Sequence, residues 1–191
     1  VPGRKRAAPT KITATSLNNI ALRYLERFAS SAENLRRVLM RRVKRSAAHH
    51  GSDPDEGAAL VDSLIRRFET SGLLDDERYA AAKAASLRRR GGSRRAISGR
   101  LAQQGVAAEL VAETLQALDE EQGGGDLAAA CAFIRRRRLG AYRSPLSRAG
   151  TPEKDMAALA RAGFSFAIAR RVLACGDAAA VEALLRAEDD S

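Results

Sequence analysis

Residues 93–118, SRRAISGRLAQQGVAAELVAETLQAL, decide how this chain folds, because residues 151–173, TPEKDMAALARAGFSFAIARRVL, repeat their pattern 58 positions later. Ser93 corresponds to Thr151 and Leu101 to Leu159. Gly105-Val106 corresponds to Gly163-Phe164, Leu110 to Ile168, and Thr114-Leu115 to Val172-Leu173. Only Ile97 breaks the register, falling on Asp155 beside Met156. The shared content is a helix, a sharp stop and a second helix. Ser93 and Thr151 are helix N-caps, with Pro152 at the first helical position, where its missing N–H does no harm. Gly105 and Gly163 suit the left-handed position that closes a helix. The apolar pairs Leu101/Val106 and Leu159/Phe164 have the spacing that accompanies such a stop.

A looser copy precedes these two. Ser31, Leu35 and Leu39 match Ser93, Ile97 and Leu101 at an offset of 62, whereas Leu60-Val61, Ile65 and Phe68 match Leu110-Val111, Leu115 and Leu118 at an offset of 50. The difference is a 12-residue insertion around 44–56, and Val43 stands where the glycine stop is expected. An amphipathic helix is predicted ahead of each copy, over 17–28, 75–90 and 127–138. The middle one lies in TSGLLDDERYAAAKAASLRRRGG, residues 70–92. There Gly72 ends the preceding helix and Asp75 is the N-cap. Asp76 and Glu77 meet the positive end of the helix dipole, Arg88, Arg89 and Arg90 the negative end, and Leu74 and Tyr79 have the spacing of a hydrophobic staple.

The expectation is an all-α protein of tandem three-helix, helix-turn-helix-like repeats stacked into an elongated, curved array. A disordered basic tail covers 1–15 and the first repeat 16–72. The second repeat spans 73–122 and the third 123–186, the latter with a loop insertion near 139–150. The run Gly123-Gly124-Gly125 is expected to be a flexible joint. Composition agrees: there is no Trp, and 3 Tyr and 5 Phe leave alanine and leucine to build thin, closely packed helices. No segment alternates like a strand, and no apolar run approaches the roughly 18–20 residues of a membrane span. No secretory leader is visible in VPGRKRAAPTKITATS. Cys131 and Cys175, far apart and without a CxxC, suit two small buried residues in a reducing cytoplasm.

Catalytic chemistry is not expected. His49 and His50 are adjacent in the inserted loop without further ligands at workable spacing. Neither cysteine has a base beside it in sequence, and no phosphate-binding glycine loop is present. No cofactor or metal is therefore expected, and the chain is taken as a monomer without membrane association.

Charge points elsewhere. The net charge is +10, and residues 1–50 alone hold 12 Lys/Arg against Glu26 and Glu33. Arginines recur in blocks: Arg36, Arg37, Arg41 and Arg42; then Arg88, Arg89, Arg90, Arg94, Arg95 and Arg100; then Arg135, Arg136, Arg137 and Arg138. Taken singly, each block also suits a solvated face or a helix C-terminus. Three blocks at similar places in three repeats suggest a surface that follows a polyanion. Base-specific reading of duplex DNA is poorly supported, because the second helix of the middle repeat offers Glu109 and Glu113 at its start.

SGLLDDERYA, followed by an arginine-rich helix end and SRRAISGRLAQQGV, resembles the RecX family of bacterial recombination regulators. ALRYLERFASSAENLRRVL resembles that family's first unit and LARAGFSFAIARRVL its last, so the resemblance spans roughly residues 17–175. It implies tandem three-helix repeats and a partner, the RecA recombinase filament on single-stranded DNA. Such a protein occupies the filament groove and limits its extension, ATP hydrolysis and strand exchange without catalytic residues. The departures are Val43, the insertion after it and the loop at 139–150. Direct, non-specific occupancy of nucleic acid is the alternative.

Overall fold

A computed structural model describes residues 9–123, 125–144 and 152–189 of the chain. Every regular element among the described residues is helical, and the chain divides into two compact units, Val1–Tyr79 and Ala80–Ser191.

The first unit is built from α1 (Ala14–Leu25), α2 (Ala32–His50), α3 (Pro54–Thr70) and the first turn of α4 (Asp76–Arg89). Thr13 and Ser16 cap α1 reciprocally, each side chain accepting from the other's backbone N–H at 3.1 and 2.8 Å. Ser31, fully buried, accepts from Asn34 N and caps α2. α2 lies along α3, and α1 packs on both. Their apolar faces meet in Leu17, Leu35, Leu39, Val43, Val61 and Phe68. The acidic run that opens α4 serves two helices. Asp75 caps its own, accepting from Arg78 N at 2.8 Å, while Asp76 accepts from Ala32 N at 2.8 Å and so holds the start of α2. Leu74 is buried in this core, whereas Leu73 is 48% exposed.

The insertion is not a loop. It continues α2 to His50, ends at Gly51 with φ 66°, and passes to Asp53, which caps α3. His49 and His50 therefore sit in the last helical turn, their rings edge-on at 4.7 Å. Val43 keeps the helix going because it is core: a Cβ on Gly57 of α3 would come within 2.4 Å of its Cγ1. The glycine of this repeat has moved to the facing helix, where it allows close approach. The lengthened α2 also holds residues expected in the tail. Ile12 N donates to the buried Ser46 Oγ, which donates to Thr10 O, each at 3.2 Å. His50 Nε2 donates to Pro9 O at 2.7 Å.

The second unit contains the rest of α4, α5 (Arg94–Gln103), α6 (Ala108–Gln122), α7 (Gly125–Arg137), a 3₁₀ turn (Gly140–Tyr142), α8 (Pro152–Arg161), α9 (Phe166–Leu173) and α10 (Ala178–Asp189). Both glycine stops are formed as the repeat implies. Val106 N donates to Leu101 O and Gly105 N to Ala102 O; Phe164 N donates to Leu159 O and Gly163 N to Ala160 O. Gly105 and Gly163 have φ of 80° and 90°. Ser93 caps α5, whereas Thr151, its counterpart, lies outside the described residues. α7 is central, packing against α9, α10 and the 3₁₀ turn. Leu127, Ile134, Leu159, Phe164, Val172 and Val181 form the core around it. α10, absent from the sequence expectation, is preceded by Asp177, whose carboxylate accepts from Ala180 N at 2.8 Å.

The position where the repeat register fails has a structural reason. Leu35 and Ile97 are fully buried, and Asp155 in the equivalent place is buried too, at 4% exposure. Its carboxylate accepts from Gly140 N at 2.9 Å and pairs with Arg143, tying α8 to the segment after α7. The expected loop thus begins as an ordered turn, with Ala141 buried; residues 145–151 lie outside the described residues.

Candidate nucleic-acid and protein interface

The arginines predicted as one contact set have different environments. In the first unit, Arg36 Nε donates to Asp62 at 2.7 Å and Arg37 Nε to Glu33 at 2.9 Å, both on partly exposed side chains. The Arg36–Asp62 hydrogen bond raises the guanidinium above its ordinary value and lowers the carboxyl below its own. Arg41 and Arg42 are exposed, as are Lys44 and Arg45 beyond them. Neither Arg41 nor Arg42 forms an ion pair among the described residues. This stretch of α2 is the first unit's free basic face.

In the second unit Arg88 stands apart. It is only 7% exposed. One guanidinium nitrogen reaches Asp119 of α6 at 2.5 Å; another reaches Asp126 of α7 at 2.9 Å and Gly125 O at 3.3 Å. Asp119 also pairs with Arg94, and Asp126 accepts from Arg94 N at 2.6 Å. Arg88 is thus the centre of a network joining α4, α5, α6 and α7, and it bridges the two sides of the Gly123–Gly125 run. The surface set excludes it. Arg89, Arg90 and Arg95 are exposed, Arg94 shares its charge with Asp119, and Arg100 bonds to Gln103 at 2.8 Å.

Arg135, Arg136, Arg137 and Arg138 are all exposed at the end of α7. Arg138 occupies the left-handed position at φ 54°, and the stop is completed by Leu139 N donating to Ile134 O at 2.9 Å. Arg137 lies over the Phe133 ring, 5.7 Å from its centroid. Folding adds a residue that the arginine blocks did not contain: Arg161, the last residue of α8, lines the same cleft as Arg137. The repeat register gave no sign of it, since the equivalent position is Gln103 and the pairing with α7 is purely tertiary.

Among the described residues no group of three or more His, Cys, Asp and Glu side chains could hold a metal ion. Nor is any helix among them long and apolar enough to cross a membrane. Cys131 is buried, and burial pushes its thiol up to about 11. Cys175 is partly exposed and shifted upward by burial as well.

Fold and surface together define a helical repeat protein with arginine-rich faces. A family model described as RecX, second three-helix domain, matches residues 75–115. Over 172 residues, 90% of each chain, the sequence is 45% identical to the regulatory protein RecX of Myxococcus xanthus (strain DK1622). Over 166 residues it is 31% identical to the regulatory protein RecX of Agrobacterium fabrum (strain C58), covering 87% of this chain and 86% of that one. No solved structure gives a significant match. The chain belongs to the RecX family.

Proposed function

We propose that this RecX-family chain is a negative regulator of the RecA recombinase, binding in the groove of the RecA–single-stranded DNA filament and limiting its extension, ATP hydrolysis and strand exchange. The observation that carries the reading is the presence, in a chain with two RecX relatives along most of its length, of exposed arginines that their own fold does not neutralise. Arg41 and Arg42 supply them in the first unit; Arg89, Arg90, Arg95 and Arg135–Arg138 supply them in the second. Arg36, Arg37, Arg94 and Arg100 contribute from partly satisfied positions. The mechanism is steric and electrostatic: a folded helical body with cationic faces occupies the groove and adds no chemical step.

The test is single-strand-dependent ATP hydrolysis by preformed RecA filaments, with this protein added far below one copy per recombinase and bare single-stranded DNA as a sink in a parallel series. The proposal expects inhibition at low ratios that survives the sink. Inhibition that needs near-saturating protein and disappears with the sink would replace it with non-specific DNA occupancy.

A further inference from the structure

Between the C-terminal ends of α7 and α8 an open cleft of about 370 Å³ is lined by residues of both helices. Among the described residues its lining is Phe133, Leu139, Ala158 and Ala162, with Arg137 and Arg161 as the charged members. Both arginines are exposed and form no ion pair among the described residues. Each closes a helix, where its charge complements the helix dipole. The backbone already does part of that work. Leu139 N donates to Ile134 O at the end of α7, and Phe164 N to Leu159 O at the end of α8. The guanidinium groups are not needed as caps and remain available to an outside anion.

The middle repeat adds to this corner. Ser93 Oγ donates to Ala162 O at 2.7 Å, and a Cβ on Gly163 would meet Ser93 Oγ at 2.6 Å and Arg95 Cβ at 3.3 Å. Arg95, an exposed cation of the second repeat, is thereby anchored beside the end of α8, next to a cleft made by the third.

Resting on the regulatory reading above, we infer that this cleft is a binding site for single-stranded nucleic acid, taking a base on its apolar floor and the flanking phosphates on Arg137 and Arg161. A single strand offers flat apolar faces alternating with regularly spaced negative charge, which matches a lining of Leu139, Ala158 and Ala162 beside two unpaired guanidinium groups, Arg137 lying over the buried Phe133 ring. Duplex nucleic acid keeps its bases stacked and paired, and so presents phosphate alone to such a cleft. Among the described residues no carboxylate lines the cleft, which favours an anionic ligand.

The experiment uses the full chain and two fluorescein-labelled probes, a short oligothymidylate and an abasic strand with the same number of phosphates, read by anisotropy across a salt series. Three variants are compared: Arg137→Gln/Arg161→Gln, Ala158→Phe to fill the cleft, and Arg66→Gln/Arg186→Gln, which removes equal charge elsewhere. The wild-type chain is expected to bind the thymidylate about tenfold more tightly than the abasic strand, a base-contact effect. Ala158→Phe abolishes that preference. Arg137→Gln/Arg161→Gln lowers the slope of log affinity against log salt by about 1.4, at roughly 0.7 per phosphate contact, while the control pair leaves it unchanged. Should Ala158→Phe fail to fold by circular dichroism, the exposed arginine pair still decides the matter.

An unchanged slope for Arg137→Gln/Arg161→Gln overturns the site. Loss of filament inhibition by that variant with thymidylate affinity unchanged also overturns it, and assigns the cleft to an acidic protein segment while the regulatory reading stands. If the wild-type chain fails to inhibit filaments but the cleft variants alter thymidylate binding as expected, the regulatory reading falls and the site stands.

Discussion

Replacing Arg88 by methionine tests the division between structural and surface arginines. The substitution keeps much of the side-chain volume but removes the guanidinium that joins Asp119 and Asp126. Breaking a buried pair from one side costs about 3–5 kcal/mol, because the abandoned charge stays desolvated. Here the two carboxylates are 29% and 23% exposed and each keeps a bond to Arg94, so the lower end applies, about 3 kcal/mol. For a chain of 191 residues, at roughly 2–4 °C per kcal/mol, that lowers Tm by about 6–12 °C. Arg89→Met, one residue along and exposed, is expected to stay within about 0.5 kcal/mol of wild type. Thermal and urea unfolding followed by helical circular dichroism measure both. Adding Asp119→Asn and Asp126→Asn to Arg88→Met should recover part of the loss, since no unpaired buried charge then remains. Equal stability of Arg88→Met and Arg89→Met would refute the argument. A practical consequence is that charge reversal across Arg88–Arg90 would confound unfolding with loss of binding, so surface tests must spare Arg88.

Further expectations concern the corner, the thiols and the two aspartates. Gly163→Ala, at φ 90° and against Ser93 Oγ, should destabilise by about 1–3 kcal/mol. Gly99→Ala, inside α5 with nothing within 4 Å, should stabilise by about 0.5–1 kcal/mol; urea midpoints compare the two. In a native thiol titration at pH 8, Cys175 should react and Cys131 should not, both reacting after unfolding. Because burial pushes the folded Cys131 thiol up to about 11, the stability it contributes is complete below the unfolded thiol range and is lost as pH rises toward 11, which denaturation at alkaline pH would detect in wild type but not in Cys131→Ala. Asp62, held below the ordinary carboxyl value by Arg36, contributes above that value and loses its contribution as pH falls through the lowered one; Asp62→Asn should flatten this acid limb. Asp155→Asn, which weakens the bond to Arg143 from a buried position, should cost about 1–3 kcal/mol in urea unfolding.

How much was legible in advance depended on whether the cause was local. Gly105 and Gly163 could be placed because a left-handed residue followed by an apolar one is a short-range signal, and Leu101 and Leu159 answer it within the same turn. Asp75 was a correct N-cap for the same reason. Asp76 looked like a first-turn acid; nothing local said that it would hold the start of α2. From sequence His49 and His50 fall in a loop, because a sequence offset shows where an insertion lies and not whether it continues a helix.

By itself, the order of residues determined helix content, the N-caps and glycine stops, and a repeat whose register points to alternating core positions. Those properties arise from backbone geometry and from 3.6-residue periodicity, which act over a few residues. Tertiary structure alone decided which charges stay on the surface. Arg88 and Arg89 are neighbours of the same type, yet one is enclosed by aspartates 31 and 38 positions away and the other faces solvent. Burying an arginine requires partners that satisfy its charge, and only the packing of α4, α6 and α7 brings those partners together.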